Sequence, residues 1–344
     1  MNIKILVLDI TALGGIERVA LNMKDMLTQD LYFDSVEIIS VTGDTSSMNG
    51  VNTLKNGSNE NKKLYEFAKN LKENTIVLSL YDRFSIKLSI IRKLFNFKFS
   101  LYACQHADYF AHPIKTRILR YITYQWVDKI ISLTKQDAVY YKKKFKNVYT
   151  IPNALGYYPL SVKKFNNREI DCAAAGRLVP IKQFEHYISL LEKIYNCGYG
   201  RAFRIHGEGP EYSALKNKIL GSNLRDLCIL SGKSKNIYQE LNNTKFFFVT
   251  SERESFSMVI LEAMACGCVV ISYDCPTGPR ELIENNINGI LIPLNDQLAL
   301  INKYKELLHN PELCQKISDN ARAYSKKFLS SKILINWKFI FNEK

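Results

Sequence analysis

Short apolar runs of strand length alternate with longer amphipathic segments along most of this chain. In the first half the runs are "IKILVLDI", "SVEIISV", "TIVLSL", "FSLYACQ", "KIISLT" and "VYTIPN". The second half repeats the pattern with "DCAAAGRL", "AFRIHG", "LCILSG", "KFFFVTS", "CVVISYD" and "GILIP". Buried strands that alternate with helices are typical of α/β proteins with parallel sheets. The pattern therefore predicts two parallel sheets, one in each half of the chain.

Two further segments complete the predicted organisation. The stretch "NALGYYPLSVKKFNNREI" contains Gly156, Pro159 and a polar cluster, a composition typical of an interdomain linker. We therefore predict one domain over residues 1–160 and a second over residues 161–329. The last piece, "SSKILINWKFIFNEK", places Ile333, Trp337 and Ile340 at near-helical spacing, so this helix must pack on another part of the protein.

Length and composition agree with two domains. The chain has 344 residues, 47% of them hydrophobic. A chain of this length is longer than those that usually fold around a single hydrophobic core. Its eight cysteines show neither a CxxC pair nor zinc-ligand spacing to histidine, so we expect reduced thiols, mostly buried. The first apolar run is interrupted by Asp9, too early for a signal peptide, and no window has the ~18 apolar residues of a membrane span. We expect a soluble or peripheral protein.

The net charge of +14 is unevenly distributed. Residues 1–165 carry 24 Lys and Arg against 14 Asp and Glu, whereas residues 166–344 carry 23 against 19. Such asymmetry indicates an anionic partner on the first half, either nucleic acid or an anionic membrane. The alternative is an ordinary solvated basic surface.

Three loops that follow predicted strands could lie beside a ligand, and two of them could bind a phosphate. In "TALGGIERVALNM", Gly14 and Gly15 precede a helix whose N-terminal N–H groups could meet an anion, although such a turn can also be purely structural. In "AAAGRLVPIKQFE", Arg177 and Lys182 could clamp a diphosphate, or could simply be solvated. In "RIHGEGPEYSAL", Gly207, Glu208 and Gly209 form a turn that could cover a ligand, while His206 is expected to be packed.

Two glutamates lie in "SERESFSMVILEAMACGCVVIS", a stretch that otherwise has the pattern of a buried core. Glu254 is predicted on the loop after a strand, and Glu262 inside the apolar helix that ends near Gly267. A ligand across the helix start could touch both side chains and the N–H groups of Ser257 and Met258. The alternative is that Glu254 only complements the helix dipole and that Glu262 is a surface residue, which fits Glu262 poorly because its neighbours are apolar.

Together these motifs resemble the retaining glycosyltransferases of family 4, which have the GT-B fold, and the resemblance spans nearly the whole chain. It is carried by "GGIERVALNM", "QHADYF", "IPN", "AAGRLVPIKQFE", "HGEGPEYSAL" and "SERESFSMVILEAMACGCVVISYDCPTGPRELI". The resemblance implies two Rossmann-like domains that face a central cleft. The first would bind the acceptor and the second a nucleotide-sugar, and a C-terminal helix over residues 330–344 would pack back on the first.

The resemblance also implies a role for each motif residue. Arg177 and Lys182 would hold the donor diphosphate, with Gly15, Gly207 and Glu208 in the loops beside it. Glu254 would contact the transferred sugar, the N–H groups of Ser257 and Met258 the phosphate, and Glu262 the ribose. His106 would lie near the reacting centre. The sequence departs from the family at Ser255 and Ser257, where glycine is usual, and a side chain there narrows the predicted pocket.

The chemistry implied is transfer of a hexose or N-acetylhexosamine, with retention, to a glycan or lipid-linked acceptor of a cell-surface polysaccharide. A UDP-sugar is the expected donor, and neither a cofactor nor a metal ion is expected. The enzyme would be cytoplasmic and peripheral on the inner face of the plasma membrane. The alternatives are a sugar-nucleotide epimerase or a phosphorylase on the same fold, or a basic nucleic-acid-binding protein; the last leaves Glu254 and Glu262 without a role.

A lipid-linked acceptor would bring the basic first half to an anionic membrane. Within residues 82–99, Phe84, Leu88, Ile91 and Phe95 fall at helical spacing beside basic residues. We predict that this helix contacts the membrane surface, in particular through Lys87, Arg92, Lys93 and Phe95. The alternative is a helix that faces the core and has a solvated basic side.

Overall fold

The computed structural model describes residues 1–12, 14–29, 33–46, 48–55, 57–234 and 236–343. These residues form two compact units. The first comprises Met1–Gly156 together with Ser330–Lys344, and the second comprises Tyr157–Leu329. The first division therefore lies four residues before the boundary expected at residue 160, and the second lies at the expected position.

The first unit contains a seven-stranded sheet in the order β3-β2-β1-β4-β5-β6-β7, with every pair parallel. Its strands are β1 (Asn2–Asp9), β2 (Ser35–Thr42), β3 (Val51–Thr53), β4 (Thr75–Ser79), β5 (Ser100–Gln105), β6 (Lys129–Ser132) and β7 (Val148–Thr150). The six longer apolar runs of the first half each contain one strand. The pattern missed β3, because a three-residue edge strand with a polar centre has no apolar run to detect.

The helices of this part are α1 (Gly15–Thr28), α2 (Glu60–Lys69), α3 (Asp82–Phe95), α4 (Ile114–Thr123) and α5 (Lys135–Lys142). Buried side chains from β1, β2 and β4 pack with those of α2 and α3 to form one core. A second cluster joins β5, β6 and β7 to α5.

The second unit contains a six-stranded parallel sheet in the order β10-β9-β8-β11-β12-β13. Its strands are β8 (Ile170–Ala175), β9 (Phe203–His206), β10 (Cys228–Leu230), β11 (Thr244–Val249), β12 (Val269–Asp274) and β13 (Ile290–Pro293). Its helices are α6 (Phe184–Asn196), α7 (Tyr212–Leu220), α8 (Ile237–Asn242), α9 (Met258–Ala265), α10 (Pro279–Leu282), α11 (Gln297–Leu308) and α12 (Pro311–Ser325). All six apolar runs of this half contain a strand. The predicted α/β class with two Rossmann-like parallel sheets is confirmed.

The last helix, α13 (Ser330–Asn342), belongs to the first unit. Its stripe of Ile333, Trp337 and Ile340 is buried. The Lys129 ammonium donates to the backbone oxygens of Ile340 and Glu343, each at 2.6 Å. The end of the chain is thereby tied to β6 by apolar packing and by two charge-assisted hydrogen bonds.

The structure contradicts the membrane prediction for the apolar side of α3. Phe84 and Leu88 are fully buried in the core of the first unit, and Ile91 packs against the same cluster. The helix therefore faces the core, which was the alternative weighed from the sequence. The two patterns look alike in a sequence because both place apolar residues along one side of a helix.

The basic side of α3 also departs from the prediction. The Lys87 ammonium pairs with Glu60 at 2.7 Å, and Arg92 is half-buried against Asp128 while donating to the Phe99 backbone oxygen at 2.7 Å. Both cations are therefore paired with carboxylates of the same unit. Lys93 and Phe95 remain exposed at the end of the helix.

Candidate functional site

The strand order of the second unit fixes where a ligand can bind. The chain passes from β8 to β9 and β10 on one side of the sheet and then returns to β11 on the other side of β8. Neighbouring connections leave in opposite directions between β8 and β11, and ligands bind parallel α/β sheets at the carboxyl ends of such strands. The loops after β8 and β11 carry Arg177, Lys182 and Glu254, so the sheet brings these three predicted residues to one edge.

The loops after β8 and β9 are bonded to each other along the backbone. The Gly176 N–H donates to the His206 oxygen at 3.0 Å, and the Leu178 N–H donates to the Glu208 oxygen at 2.8 Å. A Cβ at Gly207 would lie 1.9 Å from the Gly176 oxygen. The predicted glycine turn is therefore required for the close approach of two loops, and it leaves Arg177 and Glu208 exposed on them.

Glu254 lies at the centre of this edge with its side chain buried. Its Oε1 accepts a hydrogen bond from the Ser251 hydroxyl at 2.7 Å and forms an ion pair with the Lys182 ammonium at 2.6 Å. The Thr277 hydroxyl donates to the Glu254 backbone oxygen. Lys182 and Glu254 are thus one charged pair, whereas the sequence suggested two separate contacts.

Sequence reasoning missed Ser251, Thr277 and Gly278 at this site. Gly278 has φ +85°, and a Cβ there would lie 2.9 Å from the Glu254 Cβ. One signal was available, because Thr277 and Gly278 follow β12 just as Glu254 follows β11, and adjacent parallel strands end at the same edge. The loop after β12 therefore packs against Glu254 and helps to hold it in place.

Helix α9 begins at Met258, four residues after Glu254, and its N-terminus lies at the same edge. Its first turn includes Met258, and the first N–H groups of a helix have no partner inside it. Glu262 lies within α9 and is 1% exposed, so the alternative that it is a surface residue is wrong. Helix α9 ends at Ala265, and Gly267 follows with φ +72°, as expected for a helix stop.

Ser257 caps α9 in a left-handed conformation with φ +68°. Glycine adopts this region without steric cost, whereas serine does not. The serine at this position is therefore strained, and the glycine that the resemblance implies there would relieve the strain.

We expect Ser257→Gly to raise the free energy of unfolding by about 1 kcal/mol, because it removes the strain of a non-glycine residue at positive φ. Chemical denaturation measures the change. Ser255→Gly is the matched control and should lower stability slightly, since Ser255 is not among the residues with positive φ. Equal losses in both variants would contradict the strain.

In the first unit, Gly15 is the first residue of α1 and Gly14 is its N-cap, whereas the sequence placed both before the helix. A Cβ at Gly15 would meet nothing within 4 Å. In the first turn of α1, the buried Glu17 carboxylate accepts a hydrogen bond from the Tyr81 hydroxyl at 2.6 Å. The first turn of α1 therefore contains a buried carboxylate that the sequence analysis did not single out.

His106 follows β5, as predicted. Burial lowers its pKa from 6.5 to about 4, with the nearby Asp82 carboxylate acting in the opposite direction. Asp82 is itself held by the Arg120 guanidinium and by His112, each at 3.0 Å, and by the Tyr124 hydroxyl at 2.7 Å. The His106 imidazole is therefore neutral at neutral pH, so it can accept or donate a hydrogen bond but carries no charge.

The depressed pKa of His106 has a consequence for stability. The unfolded chain binds a proton at this histidine near pH 6.5, and the folded chain only near pH 4. The contribution of His106 to the free energy of unfolding is therefore complete above pH 6.5 and is lost as the pH falls toward 4. Between pH 6.5 and 4 we expect the free energy of unfolding of His106→Asn to fall less steeply than that of the wild type. The difference in slope should correspond to at most about one proton bound on unfolding. Denaturant unfolding against pH measures it. His309→Asn, at an exposed histidine, should keep the wild-type slope; a wild-type slope in His106→Asn would contradict the shift.

Three findings bear on other kinds of site. Within the described ranges, no group of three or more His, Cys, Asp or Glu side chains could hold a metal ion. All eight cysteines are free, and seven are buried. No helix among the described residues is long and apolar enough to cross a bilayer.

One family model covers most of the second unit, including the loops after β8, β9, β11 and β12. Residues 161–324 match glycosyl transferases group 1. This part of the chain is therefore similar to group 1 glycosyl transferases. The match includes Arg177, Lys182, Glu254 and Glu262, which the sheet topology and helix α9 bring to one region.

Comparisons with whole proteins extend over both units. The chain is 24% identical over 351 residues to an uncharacterized glycosyltransferase of Haemophilus influenzae, covering 97% of this chain and 98% of the relative. It is 24% identical to the amylovoran biosynthesis glycosyltransferase AmsD of Erwinia amylovora, covering 98% and 99%. The crystal structure of Anabaena HepE in complex with UDP and glucose is similar with a TM-score of 0.83 at 17% identity, over 100% of both chains. The GT-B fold class is thereby confirmed.

Proposed function

We propose that this protein is a retaining, metal-independent glycosyltransferase of family 4. It would move a hexose or N-acetylhexosamine from a UDP-sugar to a glycan or lipid-linked acceptor during synthesis of a cell-surface polysaccharide. One observation carries the proposal: the exposed Arg177, the Lys182–Glu254 pair and the N-terminus of α9 converge at the carboxyl ends of β8 and β11. An anionic leaving group and a hydroxylated sugar are the ligands that suit this set of groups.

The transfer breaks the bond between the anomeric carbon and the terminal phosphate oxygen, and it forms a bond from that carbon to an acceptor hydroxyl oxygen. Negative charge develops on the leaving phosphate, and the hydroxyl proton passes to that phosphate as the acceptor attacks on the same face. Arg177, Lys182 and the N–H groups at the start of α9 would stabilise this charge. None of these residues is placed as a covalent nucleophile.

The two oxygens of the Glu254 carboxylate would have different roles in the site. Both hydrogen bonds to the Glu254 carboxylate go to Oε1, from Lys182 and Ser251. Among the described residues, Oε2 receives no such bond, so it could accept from the hydroxyls of the transferred sugar. The carboxylate is held in place by its other oxygen and by packing against Gly278, which is the arrangement that orients a binding group.

Gly207 and Glu208 would border the diphosphate from the loop after β9, and Glu262 would receive the ribose hydroxyls. Glu262 is buried, so the ribose would reach it only after side chains that cover it move aside. Gly15 and the neutral His106 belong to the first unit, which would bind the acceptor. The UDP donor is supported by the UDP in the HepE crystal structure, and a role in polysaccharide synthesis by the similarity to AmsD, a glycosyltransferase of amylovoran biosynthesis.

The decisive assay incubates the purified protein with UDP-hexoses and UDP-N-acetylhexosamines, with and without a lipid extract that contains polyprenyl-linked glycans. UDP release that depends on the extract, with the sugar moved to a lipid, supports transfer. Conversion of the donor to its epimer, or release of a sugar phosphate when phosphate is added, would instead show the alternative enzyme classes. Tight binding of nucleic acid with a steep salt dependence and no turnover would favour the remaining alternative.

The base of the donor is tested separately by calorimetry with UDP and GDP. We expect UDP to bind more tightly to the wild-type protein. Tighter binding of GDP would refute the uracil donor while leaving the transferase assignment intact.

A further inference from the structure

Helix α4 exposes apolar side chains along most of its length. Ile114, Ile118 and Ile122 follow one another at four-residue spacing and are 62%, 52% and 45% exposed. Leu119 and Tyr121 flank this row and are also exposed. These five residues are called the α4 face below. Helices of globular proteins place such a row against the core, and a contiguous exposed apolar surface indicates a binding partner.

The opposite side of α4 is polar and firmly held. The buried Arg120 guanidinium pairs with Asp82 at 3.0 Å and donates to the Tyr109 backbone oxygen at 2.7 Å. Thr123 and Tyr124 are buried on the same side. The ion pair and hydrogen bonds fix the rotation of the helix, so its apolar row cannot turn inward without breaking a buried charged pair.

Cations surround the α4 face. Residues 109–150 contain nine Lys and Arg but two Asp, namely Asp128 and Asp137. Both carboxylates are bonded within the unit, Asp128 to Arg92 and Asp137 to the Tyr109 N–H at 3.1 Å. The exposed cations include Lys115 on α4 itself and a lysine cluster at the end of α5 that consists of Lys142, Lys143, Lys144 and Lys146.

Ring contacts join the cations to the apolar surface. The Lys144 ammonium lies 5.4 Å from the centre of the Tyr121 ring, and the Arg117 guanidinium lies 4.9 Å from that of Phe110. Phe110 is itself exposed and packs edge-on against Tyr140, whose ring lies 5.4 Å from the Lys143 ammonium. The apolar row, the aromatic rings and the lysine cluster therefore form one continuous surface of the first unit.

We propose that the α4 face and the lysine cluster bind the surface of an anionic lipid bilayer. An amphipathic helix of this composition lies in the plane of the interface with its apolar row among the acyl chains and its cations at the headgroups. Each cation near an anionic leaflet strengthens binding by about fivefold, and tyrosine favours the same interfacial depth. The membrane contact expected on α3 is thereby moved to α4, and it does not depend on the proposed transfer reaction.

Charge complementarity selects a bilayer over the other occupants. A second copy of this chain would bring another strongly basic surface to the same place, and like charges oppose such a contact. An anionic bilayer satisfies both features, because it offers an apolar interior and a negative surface to a helix that presents both kinds of group.

The test is co-sedimentation of the full chain with vesicles of phosphatidylcholine alone or mixed with phosphatidylglycerol. We expect binding to the mixed vesicles that weakens as salt rises from about 0.05 to 0.5 M, because screening shortens the reach of surface charge. Ile118→Asp/Ile122→Asp should lower the partition coefficient at least about tenfold. Lys143→Glu/Lys144→Glu should weaken binding to the anionic vesicles while leaving the fold intact.

The matched control is Leu94→Asp/Phe95→Asp at the end of α3, where both side chains are as exposed as those of α4. It should stay within about twofold of the wild type. Thermal midpoints are measured for every variant, and the lysine variant provides the test if the isoleucine variant fails to fold. Equal binding to both vesicle types, or a wild-type partition coefficient in the α4 and lysine variants, would overturn the proposal. A lipid-free dimer that the isoleucine variant dissociates would assign the α4 face to a second copy instead.

Discussion

Glu254→Gln is expected to lower turnover at least about a hundredfold, the magnitude typical of losing one preorganised group in an active site. The substitution keeps the shape of the side chain but removes the charge that Oε1 shares with Lys182 and that Oε2 offers to a sugar hydroxyl. The thermal midpoint should change little, because Lys182 keeps partial access to solvent. UDP release and thermal unfolding are measured on the same preparation.

Glu252→Gln is the matched control, since Glu252 lies two residues earlier on the same loop and is exposed. Its turnover should equal that of the wild type. Activity of Glu254→Gln within a few-fold of wild type would remove Glu254 from the site. A large fall in midpoint with a proportionate loss of activity would show that the carboxylate serves the fold.

Arg177→Ala and Lys182→Ala are each expected to cost ~2–4 kcal/mol of transition-state stabilisation, because both cations would act on charge that develops as the phosphate leaves. The loss should appear in turnover. If both variants changed only the half-saturation concentration of the donor, the two cations would bind the ground state and the transition state equally and would not speed the reaction. Arg225→Ala, at an exposed arginine of the same unit, should have no effect.

The two variants should differ in stability. Arg177 is exposed, so its removal should leave the free energy of unfolding unchanged within ~0.5 kcal/mol. Lys182→Ala leaves the buried Glu254 carboxylate without its cation and should cost ~1–3 kcal/mol. In the double variant with Glu254→Gln this stability cost should shrink, since the uncompensated charge is gone. Denaturant unfolding of the three variants measures the coupling.

Most of the strands were predictable because each lies in a short, mainly apolar run between longer amphipathic segments. All twelve runs contain a strand, and the exception, β3, is a short edge strand whose central residue is Asn52. The positions of Arg177 and Glu254 at strand ends followed from the same pattern. Their proximity follows from the sheet order, which periodicity does not specify.

Contacts between distant segments were not predictable in detail. The Lys182–Glu254 pair joins residues 72 positions apart, and the Thr277 bond to Glu254 spans 23. The sequence shows a cation and a carboxylate on different loops, and both could have faced a ligand. The close packing of Gly278 on Glu254 helps to hold the carboxylate, and the sequence does not show which glycine packs against which side chain.

The membrane prediction failed at α3 for a physical reason that α4 makes clear. An apolar stripe beside cations appears both in a helix that faces the core and in one that faces a bilayer, and burial distinguishes them. Phe84 and Leu88 of α3 are buried, whereas Ile114 and Ile118 of α4 are exposed. A buried ion pair between Arg120 and Asp82 reverses the usual orientation of α4, and no helical pattern reveals such a pair.

A crystal structure of this protein with UDP would show directly where the donor binds. We expect the diphosphate within hydrogen-bonding distance of Arg177 and of the N–H groups of Ser257 and Met258, with the terminal phosphate beside the Lys182–Glu254 pair and the ribose toward Glu262. UDP bound elsewhere, for example in the open polar groove lined by Glu185, Lys193 and Lys218, would contradict it.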